Sequence, residues 1–87
     1  MRTDLMKDYI EEVINNLRVI IVDAEAEIEE ISGMIVDEAT RNPAKMDAGF
    51  IARKAVDLQR KQSRVAGLKS KLWTLEGVLR VGAKEED

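Results

Sequence analysis

The sequence predicts an all-α chain, an antiparallel two-helix hairpin with coiled-coil-like packing that assembles into a four-helix bundle or a higher homo-oligomer. Three observations predict it. Helix breakers are few: 87 residues contain one proline and five glycines, while charged residues make up 36%. Both halves carry a seven-residue apolar repeat, the mark of helices packed along their length. The charge is divided as well. Residues 1–41 hold four cations against eleven anions, a balance of −7, and residues 42–87 hold ten against six, a balance of +4. An acidic helix beside a basic one is an attractive pairing.

The chain reads as one domain over residues 1–87, with helix 1 over about 3–41, a turn over about 42–46, helix 2 over about 47–81 and an acidic tail over 82–87. Thr3 or Asp4 can cap helix 1. Its seam is Ile10, Ile14, Leu17, Ile21, Ala24, Ile28, Ile31 and Ile35, spaced four and three alternately. A flanking line of Met6, Val13, Ile20 and Met34, interrupted by Glu27, widens the stripe beyond what one partner helix covers. A strand over residues 18–23 is the alternative for that β-branched run. The helical phase running through it, and the want of a partner strand, argue against it. Ser32-Gly33 is a place where helix 1 could kink. Helix 1 must stop before Pro43, because the residue ahead of a proline avoids helical geometry. Asn42 followed by Pro43 can open helix 2, with Asp47 as a second candidate cap.

Helix 2 keeps the line Ile51, Leu58, Val65, Leu72 and Leu79, joined by Leu68 and Leu75. At the equivalent earlier positions stand Lys54 and Lys61. A second line, Ser63, Gly67, Ser70, Thr74 and Gly77, consists of small residues at the same spacing and suggests close approach by another helix. With the turn centred near residues 43–44, Glu27 falls opposite Arg60 and Asp23 opposite Arg64. The bulky stretch 13–21 then falls beside the small residues between 66 and 74.

Several functions are excluded by what is missing. With no cysteine there is no disulfide or thiolate metal site, and with no histidine the commonest general base and metal ligand are gone. The five glycines are scattered and form no phosphate-cradling loop. Glu25 and Glu29 could hold a hard cation, but they read better as a solvated acidic face. No run approaches the roughly 18–20 apolar residues of a membrane span, and charges follow the first residues too soon for a signal-peptide core. The expectation is a cytoplasmic, non-catalytic protein with no metal, no cofactor and no membrane partner.

Two sets of residues are candidates for binding. Val19, Ile20, Val22 and Val36 are apolar surplus beyond the seam, and such surplus marks an interface with a second copy or another protein. Trp73 joins them as a potential interface anchor among Lys69, Glu76 and Arg80, unless it packs across the seam against Val13 or Ile14. The second set, Arg53, Arg60, Arg64 and Lys71, recurs at 7-4-7 spacing on one face of helix 2. It suits a phosphate ligand, either RNA or DNA or a small nucleotide held between subunits. The competing and preferred reading is that these cations answer the carboxylates of helix 1. The expected function is therefore an adaptor, regulator or inhibitor working through protein–protein contacts, with phosphate-ligand binding as the alternative.

Overall fold

Two long runs of helix formers separated by a single proline leave one place for the chain to reverse, and the computed structural model reverses there. Helix α1 spans Arg2–Ala39 and α2 spans Ala48–Glu86. The structure describes residues 2–41 and 43–86, with side chains over 5–41 and 43–82. The two helices pack side by side in a rod of 67 × 15 × 15 Å. No strand occurs among the described residues, and residues 18–23 are helical.

The seam is where the heptads put it. Ile14, Ile21, Ala24 and Ile31 of α1 are buried, as is Val65 of α2. Ile21, Ala24 and Val65 form the central cluster, with Ile28, Leu68 and Leu72 packed around it. Lys54 and Lys61 are half-buried at seam positions. Their aliphatic stems cover the seam while their ammonium groups leave it. Lys61 reaches Glu27 at 2.7 Å, and Lys54 sits 5.7 Å from the centre of the Phe50 ring.

Side-chain caps organise the reversal. The Thr40 hydroxyl donates to the Asp37 carbonyl at 3.0 Å as α1 ends. The Asp47 carboxylate accepts the Phe50 N–H at 2.9 Å, and its carbonyl accepts the Ile51 N–H, so Asp47 is the N-cap of α2. Of the two candidate caps, Asp47 therefore opens the helix; Asn42 lies outside the described residues. The Asp47 N–H in turn donates to Glu38 at 2.9 Å. In a capping box that role falls to a Glu three residues into the helix; here that position is Phe50, and Glu38 supplies the carboxylate from the end of α1.

Several expectations are corrected. Helix α1 is already formed at Arg2, so Thr3 and Asp4 stand inside its first turn; their side chains lie outside the described residues. The helix continues through Ser32 and Gly33 without interruption. Helix α2 does not stop near residue 81 but runs on to Glu86, because Ala, Lys and Glu beyond Gly82 are good helix formers. The small line does not meet α1: Ser63, Gly67, Ser70 and Thr74 are exposed, and a Cβ on Gly67 would touch nothing. Burying the larger line of Val65, Leu68 and Leu72 removes more apolar area from water, so that line wins the contact with α1. Glu27 pairs with Lys61, one residue beyond Arg60, and the expected Asp23–Arg64 ion pair is not formed.

Candidate interaction surface

A hairpin of two packed helices has two broad faces, and the ion pairs fix which residues share each one. On one face, Lys61 bonds Glu27, and Arg64 is close enough to act on the same carboxylate. Two turns of helix are seven residues, so Met6, Val13, Ile20 and Met34 lie on this front face with Glu27. Asp57, Arg64, Lys71 and Val78 lie there too. The front edge of α1 carries Tyr9, Asn16, Asp23, Glu30 and Asp37, and the front edge of α2 carries Arg53, Arg60, Gly67, Thr74 and Val81. On the opposite, back face, Lys69 meets Glu25 at 3.6 Å. Glu11, Arg18, Glu76 and Arg80 line a shallow recess on that side, so the back is polar and of mixed charge.

The apolar candidates are all exposed, but they do not form one patch. Ile20, 40% exposed, joins Met34 and Met6 on the front. Val22 and Val36 stand on the back edge of α1, and Val19 points away from the seam. Trp73 is 71% exposed, which rules out its packing against Val13 or Ile14. It walls a shallow groove of about 510 Å³ on the outer side of α2, with Thr74, Gly77, Val78, Val81 and Gly82 as the remaining lining.

The basic candidates do share a face. Arg53, Arg60, Arg64 and Lys71 are all exposed on the front of α2. None of the four has a hydrogen bond or ion pair among the described residues; Lys61 and Lys69 are the cations that answer α1. The preferred expectation, that these cations answer the carboxylates of helix 1, is met by no direct ion pair among the described residues, although the Arg64 charge acts on Glu27. The spacing showed that these cations share a face, but Lys61, half-buried in a seam position, is the one that reaches Glu27.

Electrostatics at the contact are simple. The Lys61 hydrogen bond, then the Lys61 charge, hold the Glu27 carboxyl below its ordinary range, with a smaller contribution from Arg64. Among the described residues, no group of three or more acidic side chains is gathered to hold a metal, and no helix is long and apolar enough to cross a membrane.

One residue escaped the sequence reading. Glu38 is only 7% exposed and holds both the α2 N-terminus and Arg41, whose Nε lies 3.1 Å away. The signal was present: continuing the four-three count beyond Ile35 lands on residue 38, a carboxylate in a seam position. Compared with family models, curated proteins and solved structures, the chain has no significant match to any of them.

Proposed function

We propose that this chain is a non-catalytic, self-associating helical-hairpin module that acts as an adaptor, regulator or inhibitor through protein–protein contacts. The observation that carries the reading is the imbalance of its apolar surface. Among the described residues only five hydrophobic ones are buried, while large ones such as Ile20, Val22, Val36 and Trp73 stand exposed on several sides. A seam this thin, in so short a chain, favours a further contact that covers some of these side chains. Native mass spectrometry across a concentration series tests it. The expected result is a dimer or larger assembly that at least one of Ile20→Asp, Val22→Asp and Trp73→Ala disrupts, or a partner contact that one of them abolishes. A monomer at every concentration, whose contacts are indifferent to all three substitutions, overturns it.

The exposed stripe of Arg53, Arg60, Arg64 and Lys71, without an ion pair among the described residues, supports a second reading, a phosphate ligand such as RNA, DNA or a small nucleotide. Binding of that kind weakens steeply with salt, and Arg60→Ala combined with Arg64→Ala would abolish it without lowering helicity. Retention of ligand by that double variant, or affinity unchanged by salt, counts against it.

A further inference from the structure

The front face has two halves of opposite sign, and they match each other across a twofold axis. Asp23, Glu30 and Asp37 lie along the front edge of α1; Arg53 and Arg60 lie along the front edge of α2. Within one hairpin these edges are turned away from each other, and none of these five side chains forms an ion pair among the described residues. Between them the face carries Ile20 and Met34, with Met6 and Val78 toward the open end, alongside the Glu27–Lys61 pair and the charged Asp57, Arg64 and Lys71. The equivalent positions of the back face, Glu11, Arg18, Glu25 and Ser32 on α1 and Gln62, Lys69 and Glu76 on α2, include no large apolar side chain.

From this juxtaposition we propose that the front face is the docking site for a second copy of the same chain, with the two turns at the same end of a four-helix bundle. The inference rests on the self-association part of the proposed function and adds its face and polarity. Two hairpins can stack front to front with twofold symmetry in two ways. With the turns at opposite ends, each α1 lies over the other copy's α1 and each α2 over the other α2, so acid faces acid and base faces base. With the turns together, each acidic α1 lies over the basic α2 of the other copy. Levels along the rod then match as they do inside one hairpin. Asp37 stands at the level of Arg53, Glu30 at that of Arg60, and Tyr9 at that of Val81. Juxtaposed like charges oppose the first arrangement, and complementary potentials favour the second. Every neighbouring pair of helices in the resulting bundle is antiparallel. A face 67 Å long and 15 Å wide is roughly 1,000 Å² in extent, room enough for a contact of the order of the about 800 Å² that each partner buries in a standard interface.

Two measurements test the arrangement. The chain has no cysteine, so Lys45→Cys in the turn gives a single labelling position away from the docking face. With the turns together, spin labels on the two copies lie within one or two helix diameters, about 10–20 Å; with the turns apart they lie near the 67 Å length of the rod. Independently, Glu30→Lys with Asp37→Lys, and separately Arg53→Glu with Arg60→Glu, should each weaken self-association tenfold or more while leaving helicity unchanged. An equimolar mixture of the two variants should recover a dimer of mixed composition. Short label distances together with this recovery support the proposal. A dimer whose labels lie a rod's length apart, or one indifferent to both charge reversals, overturns it and leaves self-association standing. A protein that stays monomeric at all concentrations overturns both.

Discussion

At the scale of the residue, the most consequential side chain is Glu38. It occupies a seam position yet serves a backbone: one oxygen accepts the Asp47 N–H and the other faces Arg41. The bond is half-buried, so Glu38→Ala should lower stability by about 1 kcal/mol, the net worth of a typical hydrogen bond. Glu38→Gln keeps an acceptor and should lose less; equal losses in chemical denaturation would show that the hydrogen bond is not the reason. Glu27 carries a pH signature. Its carboxyl titrates below its ordinary value of 4.5 because Lys61 holds the charged form. A carboxyl lowered on folding contributes stability that is present above its unfolded value and lost as pH falls through the folded one. Acid titration of stability should therefore lose a small contribution below about pH 4.5 that Lys61→Met no longer shows. Glycines supply a third case. A Cβ on Gly33 meets nothing, and the residue lies on the outer side of α1. Gly33→Ala should raise stability by about 0.5–1 kcal/mol through helix propensity and leave assembly alone. Gly67 also has open space around it, but on the front edge of α2; Gly67→Leu should keep the hairpin and lower its self-association, read by analytical ultracentrifugation.

At the scale of the element, the heptads were enough to place the two helices and their seam. Ile14, Ile21, Ala24, Ile31 and Val65 could be counted directly from the sequence, because burial on a helix follows a period that spacing alone reveals. Spacing was not enough where two lines on one helix share the same period. The small line of Ser63, Gly67 and Ser70 and the large line of Val65, Leu68 and Leu72 are equally regular, and only the area each would bury decides which meets α1. The cations were misassigned for a related reason. Arg60 and Lys61 are neighbours in sequence, but about 100° of helix rotation separates them, and that brings Lys61 rather than Arg60 to Glu27. The N-cap was ambiguous because both Asn42 and Asp47 have suitable chemistry; the length of the turn, set by reach between Glu38 and the Asp47 N–H, selects the second.

For the whole molecule, the limiting quantity is core size. Among the described residues no large side chain is completely buried, and the best-packed cluster has six members. Seams this thin rarely hold a chain of this length by themselves. Folding should therefore be linked to assembly by mass action: the midpoint of thermal unfolding should rise with protein concentration, and a midpoint independent of concentration over two decades would separate the two. The interface candidates were legible only as a surplus of apolar residues. Their division among a front face, a back edge and an outer groove depends on rotation around two helix axes, and a list of exposed residues carries no such angle.

The clasp at Asp47 and Glu38 also gives the hairpin a direction in time. These two residues are nine apart in sequence, whereas Glu27 and Lys61 are 34 apart, and the separation keeps growing toward the open end. Closing the small loop loses the least chain entropy, and once it is closed each further pair adds little to the loss. The chain should thus zip from the clasp outward, and open in the reverse order. Amide hydrogens near Ile31 and Leu58 should exchange slowly with solvent deuterium, and those near Tyr9 and Val78 quickly. Docking of a second copy should slow exchange most at the open end, where a lone hairpin holds itself least.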